Sequence, residues 1–422
     1  MKVNSTREVF EWLNLKKLES TYEVSHVLLT ELLKWKFSLK ATELYHETRG
    51  FFSVKGLFVQ NDAFAAKEIM QPILNQPEKG MLGFIRTIIQ DKLYYLVQAK
   101  FEPGNPDLIQ LSPTVQATVC NYSQIHGGLK TKYIEYFLKP DEFPYNLFLK
   151  YELTETASRF YGKTNYNCII ELPKENIKIY ENFILIEEDC LKEIMLFDNI
   201  INMNARSILS IAFNTNVFKK KSSETEIWLD SLRKNFPTRR GFKIFKDLEN
   251  WNFSDNEIVS DGEPGFQITG LNVKAKREVR EWFQPILRNK NLGHYALFSG
   301  LVDNEIKYLI HAYPEVGTLM DWEIGPTIVQ LDDFSRLETH LSVDDKSIKK
   351  EFRYSVKHSE EGGRFYQNIN KYDFYNVNPK KIEASKLYRW VTFAELLSLN
   401  EIKGAVTSEL RTMIAILSSS KS

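Results

Sequence analysis

The amino-acid sequence predicts an α+β protein in which one module occurs twice in tandem. Three observations carry this expectation. Blocks of residues return in the same order at a nearly fixed offset, as tandem repeats do. Short apolar/polar alternations beside turn residues mark antiparallel strands. A few capped or amphipathic stretches mark helices, and strands mixed with segregated helices give α+β.

The repeat begins with Gln71-Pro72-Ile73-Leu74, which returns unchanged as Gln284-Pro285-Ile286-Leu287, 213 positions on. At that offset Leu93-Tyr94-Tyr95-Leu96-Val97-Gln98-Ala99 meets Ile306-Lys307-Tyr308-Leu309-Ile310-His311-Ala312, and Pro113-Thr114-Val115 meets Pro326-Thr327-Ile328. Beyond a loop eight residues shorter, the offset becomes 205. There Thr154–Tyr161 meets Ser359–Tyr366, Asn165 meets Asn370, and Arg206-Ser207 meets Arg411-Thr412. Upstream, Trp35-Lys36-Phe37 and Gly50-Phe51 echo Trp251-Asn252-Phe253 and Gly265-Phe266. The copies lie near 35–218 and 251–422, joined by the charged, small-residue linker Lys219–Ser223. This divides the chain into 1–218, a helical segment plus the first module, and 219–422, a linker helix plus the second.

The elements follow in order. Residues 5–36 read as helical, with Val9, Phe10, Trp12 and Leu13, then Val24, Val27, Leu28 and Leu32. Leu93, Tyr95, Val97, Ala99 and Phe101 alternate with Tyr94, Leu96, Gln98 and Lys100, a strand pattern. Gln90-Asp91-Lys92 before it, and Asp303-Asn304-Glu305 in the second copy, suit hairpin turns. Ser223-Glu224-Thr225-Glu226 has the form of a capping box ahead of Ile227-Trp228-Leu229. Helices are expected over Arg277–Leu287 and Glu395–Leu399.

Composition narrows the function. The chain has 422 residues, 55 Lys+Arg against 55 Asp+Glu, and hence no basic excess to displace phosphate counterions from a nucleic acid. A hydrophobic fraction of 43%, with 28 Phe, 20 Tyr and 7 Trp, describes a filled interior. Trp282, Trp322 and Trp390 read as core. Cys120, Cys168 and Cys190 are too few and scattered for a disulfide framework or a zinc site. No apolar run approaches a membrane span of ~20 residues, and the N-terminus lacks a signal peptide's apolar stretch. A soluble, cytoplasmic protein is expected. P-loop, dinucleotide, nucleophile-elbow and H-E-x-x-H motifs are all missing, so nothing asks for a nicotinamide, flavin or metal.

Repeated polar positions are the candidates for chemistry. Glu360-Glu361-Gly362-Gly363-Arg364 sets two carboxylates, a flexible turn and a guanidinium within five residues. Arg is a planar fork for phosphate, and a neighbouring Glu serves as base or orients the Arg. A hairpin turn with a solvated Glu–Arg pair would look the same. Pro113–Thr118, with Asn121-Tyr122, offers hydroxyl, amide and phenol groups that suit sugar or base recognition, or simply end a strand. The histidines are dispersed; His311 aligns with Gln98, so the copies differ there.

Taken together, Gly50-Phe51-Phe52-Ser53-Val54-x-Gly56-Leu57, Ser112–Thr118, Asn202-Met203-Asn204-Ala205-Arg206 and Ser359–Tyr366 resemble the NDP-hexose 2,3-dehydratases, from about Trp35 to Ile414. The resemblance implies two Nudix-like modules per subunit, a homodimer, and no cofactor or metal. It implies a substrate of the NDP-4-keto-6-deoxy-glucose kind, usually the dTDP sugar. The C3 proton and C2 hydroxyl leave as water, giving a 3,4-diketo-2,6-dideoxy sugar that a separate 3-ketoreductase consumes. It also implies two nucleotide pockets per subunit, one of them catalytic. On this reading Glu360, Glu361, Arg364 and Tyr366 supply acid–base groups and diphosphate or oxyanion contacts. Thr114, Gln116, Thr118 and Tyr122 hold nucleotide or sugar, with Arg159, Lys163 and Asn165 as further anion contacts. Two departures stand out. The first copy, Thr154-Glu155-Thr156-Ala157-Ser158-Arg159-Phe160, has no glycine, and Arg277-Glu278-Val279-Arg280-Glu281 is not a complete Nudix box. Arg206 and Arg411 are open between structural and phosphate roles. A binding protein that has lost the chemistry and a divergent Nudix-type hydrolase of NDP-sugars stand as alternatives.

Overall fold

The computed structural model describes residues 2–63, 68–122, 130–139, 146–219, 223–262, 265–275, 281–330, 341–342 and 351–420. Of the Lys219–Ser223 linker, residues 220–222 lie outside the described residues. The long hairpin Gly80–Ile89/Lys92–Phe101 centres one eight-stranded sheet, and Gly293–Val302/Glu305–Pro314 centres a seven-stranded one. Both hairpins turn through two left-handed residues, Gln90 and Asp91 (φ 52° and 61°), and Asp303 and Asn304 (φ 53° and 63°). Such turns match strand twist and favour short polar residues. Each sheet contains one parallel neighbour of that hairpin: Thr164–Glu171 beside Gly80–Ile89, and Ile369–Asn376 beside Gly293–Val302. The alternation across Lys92–Phe101 separates two cores. Tyr95, Val97, Ala99 and Phe101 enter the main core, while Tyr94 and Leu96 enter a smaller one on the other face.

Two five-stranded sheets and a two-stranded pairing of Leu341–Ser342 with Glu383–Ala384 complete the described sheets, and each five-stranded sheet borrows a strand from the other half of the chain. Arg239–Lys243 pairs antiparallel with Ser53–Gln60, and Glu23–Val27 pairs antiparallel with Phe266–Lys274. One apolar cluster joins them, with Leu29, Trp35, Phe52 and Leu74 meeting Phe245, Ile258, Phe266 and Leu287. Trp322 is wholly buried in the main core, and His311 stacks on Tyr388 with ring centroids 4.2 Å apart. At the centre of the molecule the helices Met203–Ala212 and Ser408–Ser419 pack together, buried along almost their whole length. Asn202 and Thr407 cap them, accepting from Ala205 N and Leu410 N. Among the described residues no helix is long and apolar enough to cross a membrane.

Two expectations need correction. Within the opening stretch, 14 residues form the helix Thr6–Glu19, capped by Ser5 and burying Val9, Trp12, Leu13 and Lys16. The rest is not helical: Glu23–Val27 and Trp35–Phe37 are strands around a single 3-10 turn. Val24 and Val27 repeat at helical spacing, but β-branched residues also suit a strand, and pairing with the other half decides. The second correction concerns 277–287. Residues 276–280 lie outside the described residues, and Glu281–Asn289 is a strand. Pro285 would break a helix interior, whereas this strand ends its sheet's main path, where a residue without an N–H is tolerated. The helix expected at Glu395–Leu399 is present as Phe393–Leu399, with Thr392 and Glu395 forming its capping box. The helix Ser223–Asn235 begins at Ser223, so the capping-box residues stand in its first turn.

Candidate active site

The segments Thr154–Tyr161 and Ser359–Tyr366 fold alike. In each, one backbone turn closes from Thr156 O to Phe160 N, or from Glu361 O to Phe365 N, both at 3.0 Å. The amides of Tyr161 and Tyr366 then bond the carbonyls of Leu74 and Leu287 at 2.8 Å. Gln71 donates to Ser158 O, and its repeat Gln284 donates to Gly363 O, each at 2.8 Å. The paired arginines cross between halves. Arg206 donates to Ser359 O (2.8 Å) and Ile201 O (2.7 Å). Arg411 donates to Thr154 O and to Val406 O, the latter at 2.7 Å. Both guanidiniums are buried on carbonyl oxygens, so the structure gives them the work of holding each half's turn from the helix of the other.

The loop after Lys92–Phe101 of the first half closes over the turn of the second. Gly104 N donates to Gly362 O and Gln367 N donates to Gly104 O, both at 2.7 Å. A Cβ on Gly104 would stand 1.8 Å from Phe365 O, so only glycine allows this approach. The closure buries Glu102. Gln116 Nε2 donates to Glu102 Oε1 (2.6 Å), Asn202 Nδ2 donates to Gln116 Oε1 (2.9 Å), and Lys100 Nζ donates to Gln116 O (3.1 Å). Across Gly363 stands Glu361. A Cβ on that glycine would lie 3.3 Å from Glu361 Oε1 and 3.8 Å from Glu102 Oε1. Burial pushes the Glu102 carboxyl up to about 7; Lys100 opposes this, Glu361 adds to it, and Gln116 and Arg364 oppose it. Arg364 donates to Gln76 Oε1 at 3.2 Å and rests 4.1 Å over the Phe52 ring. Lys163 reaches Glu78 O. Its ammonium is pulled below the usual lysine range by burial, against the attraction of Glu155, Glu361 and Glu78.

The same frame recurs on the other side of the seam. Gly317 N donates to Ala157 O (2.8 Å) and Gly162 N to Gly317 O (2.7 Å). Glu315 occupies the position of Glu102, and Arg159 lies 4.1 Å over Phe266 as Arg364 lies over Phe52. This side is sealed: Arg159, Glu315, Glu323 and Glu409 are all buried, whereas Glu361 and Arg364 are only half-buried. Burial holds the Glu315 carboxyl well above the carboxylate range, with Glu409 and Glu323 adding to the effect. Five side chains of the open cluster are exchanged on this side. Val329 stands for Gln116, Thr407 for Asn202, Thr156 for Glu361, Asn368 for Lys163 and Tyr313 for Lys100.

Of the residues singled out in the sequence, Glu361, Arg364 and Gln116 gather around Glu102, and Lys163 stands near Glu361 and Arg364. Glu360 lies deeper in the seam, accepting from Asn370 and from Thr156 Oγ1 (3.2 Å), with burial pushing it up to about 7. Asn165 donates to Glu155 Oε1 at 2.6 Å and accepts from Gly80 N at 2.8 Å. Arg159 belongs to the sealed side. Thr114 lies apart: its hydroxyl accepts from Ile85 N at 2.9 Å and donates to Leu96 O, joining two strands as Thr327 does between Phe298 and Leu309. Tyr366 sits edge-on to His26, centroids 4.4 Å apart. Thr118 and Tyr122 are half-buried beyond Gln116, and residues 123–129 after them lie outside the described residues. Glu102 and Lys100 were not singled out. The signal was present, since Glu102-Pro103-Gly104 returns as Glu315-Val316-Gly317 at the 213 offset. Among the described residues no group of three or more His, Cys, Asp or Glu is placed to hold a metal ion.

The family model for NDP-hexose 2,3-dehydratase matches residues 6–212 and again 222–417. The chain belongs to the NDP-hexose 2,3-dehydratase family. Its relatives include a dTDP-4-dehydro-6-deoxy-α-D-glucopyranose 2,3-dehydratase of Amycolatopsis orientalis, 30% identical over 98% of this chain and 90% of the relative. A dehydratase of the same name from Saccharopolyspora spinosa is 30% identical over 98% and 91%. Dehydratases are hydro-lyases, so the family places the chain among lyases. A solved Ap4A hydrolase of C. elegans aligns to 31% of this chain and 97% of its own at 13% identity, with a TM-score of 0.18, too slight a likeness to bear on the fold of this dehydratase-family chain.

Proposed function

We propose that the chain eliminates water from dTDP-4-keto-6-deoxy-glucose, taking the C3 proton and the C2 hydroxyl, at the cluster of Glu102, Glu361, Arg364 and Lys163. The observation that carries the reading is a pair of carboxyls facing each other across Gly363, beside two cationic side chains, in a member of this family. The C4 ketone acidifies C3–H. One carboxylate takes that proton, and the charge passes to the C4 oxygen. The enolate then expels the C2 hydroxyl, which a proton from the second carboxyl converts to water. Arg364 and Lys163 supply the positive charge that an oxyanion or a diphosphate needs. The enol product tautomerises to the 3,4-diketo-2,6-dideoxy sugar, which a 3-ketoreductase consumes.

The wider reading is a duplicated Nudix-like module, 1–218 and 219–422, supported by twin elements at matching offsets and two successive matches to one family model. It includes a homodimer working in the cytoplasm. The test is to incubate the protein with dTDP-4-keto-6-deoxy-glucose, a 3-ketoreductase and NADPH, and to follow the sugar by mass. Loss of one water is expected. Tight binding with intact substrate would favour a binding protein, and release of a nucleoside monophosphate a hydrolase.

A further inference from the structure

Both ends of the Asn202 amide are committed. Its Oδ1 accepts from Ala205 N at 2.9 Å, as the cap of the helix Met203–Ala212. Nδ2 therefore points away from the helix, and it donates to Gln116 Oε1 at 2.9 Å. That bond fixes the direction of the Gln116 amide in turn, which presents Nε2 to Glu102 Oε1 at 2.6 Å. Glu102 thus has one oxygen held by a donor. Its other oxygen, Oε2, is buried among the described residues with no hydrogen-bond partner. A buried oxygen in that state is costly as part of an anion and much less so as a hydroxyl. The groups facing Glu102 are Lys100, two residues before it at the end of the strand, and Glu361 and Arg364 on the turn of the other half. Lys100 donates to Gln116 O at 3.1 Å.

We propose that Asn202, acting through Gln116, positions Glu102 as the proton donor of the elimination, with Glu361 as the base. This rests on the dehydratase reading. The C3–H bond breaks with its proton going to Glu361 and its electron pair to the C3–C4 enolate. The enolate forms the C2–C3 double bond as the C2–O bond breaks, and the departing hydroxyl takes the Glu102 proton to leave as water. Glu361 then holds a proton and Glu102 has lost one. Transfer across Gly363 resets the pair, so no other reactant is consumed. The sealed side has valine and threonine where Gln116 and Asn202 stand, so it lacks both positioning amides. The chemistry therefore belongs to the side built by Glu102 and Glu361.

The test is Asn202→Asp, which keeps a capping oxygen for Ala205 N and replaces the donor to Gln116 with an acceptor. Gln116 turns over and offers its oxygen to Glu102, favouring the protonated acid and misdirecting its proton. The expected result is a thermal midpoint held within a few degrees and a KM within about twofold. kcat at pH 7 falls ~10-fold, and the alkaline limb of its pH profile moves about one unit upward. Thr407→Asn, at the matching cap of the other helix, leaves the limb in place. An unmoved limb in folded Asn202→Asp, or an equal shift in Thr407→Asn, overturns the proposal. A second readout needs no turnover. The infrared band of a protonated carboxyl, assigned by its loss in Glu102→Gln, should persist to neutral pH and to higher pH in Asn202→Asp. A band that disappears in the ordinary carboxylate range overturns the positioning role even if water is eliminated. A wild-type chain that eliminates no water overturns the dehydratase reading instead, and the donor assignment with it.

Discussion

The clusters around Glu102 and Glu315 share a backbone frame almost bond for bond and differ in what fills it. Each has a loop glycine bonded to the facing turn, an arginine over a phenylalanine 4.1 Å away, and a buried glutamate behind the loop. On one side Glu361, two amides and two lysines line the frame and the arginine is half-buried. On the other, Thr156, Val329, Thr407, Asn368 and Tyr313 take those places, Glu323 and Glu409 stand near Glu315, and the arginine is sealed. The shared frame and the exchanged side chains can therefore be probed separately.

The comparison can be broken at several points. Glu361→Gln should lower water elimination by ~10²-fold or more, the scale of a lost acid–base group. Glu315→Gln should leave it within about threefold, because burial favours the neutral form of Glu315 and the amide is nearly isosteric. Equal losses in the mass-followed assay would refute the assignment of one active side. Next, Arg206→Met and Arg411→Met should each destabilise the fold by about 3–5 kcal/mol, since each strands one buried carbonyl in its own half and one in the other. Their urea midpoints should shift alike; a large inequality would show that the two sides do not share the frame equally. The smallest effect is expected at Glu323, the counterpart of Gln110. Burial pushes its carboxyl to about 7, with Thr318 donating to it at 2.8 Å. A raised folded-state pKa contributes stability below the unfolded value, which is lost as pH climbs through about 7. Glu323→Gln should therefore gain about 1–3 kcal/mol at pH 8 and almost nothing at about pH 4. An equal gain at both pH values in thermal melts would mean that Glu323 is not titrating in this range.

Much of this arrangement is legible in the sequence. The repeat offsets locate matching strands in both halves, and the Glu361–Arg364 segment falls in the half-buried cluster. Alternation at Leu93–Phe101 predicted a strand because it reflects a local period of two. Glu102 was harder, because a single glutamate before Pro103-Gly104 reads as a turn, and its partners lie some 260 residues away in Glu361 and Arg364. Local periodicity carries no record of such pairings. Thr114 shows the converse limit: a hydroxyl suited to a sugar is equally suited to joining two strands. The borrowed strands were illegible for the same reason as Glu102. Glu23–Val27 is largely exposed on its own account and is set by the edge it joins in the other half.

That exchange of strands also orders the chain in time. During synthesis the edge formed by Ser53–Gln60 stays open until residues 239–243 have emerged, and Glu23–Val27 waits longer still, for 266–274. An open edge invites pairing with other chains, and contacts this distant in sequence close slowly. The nascent first half is thus a polypeptide with one unpaired edge and one unplaced strand, and its stretch of greatest risk on the ribosome ends only when the second half arrives to take and return a strand.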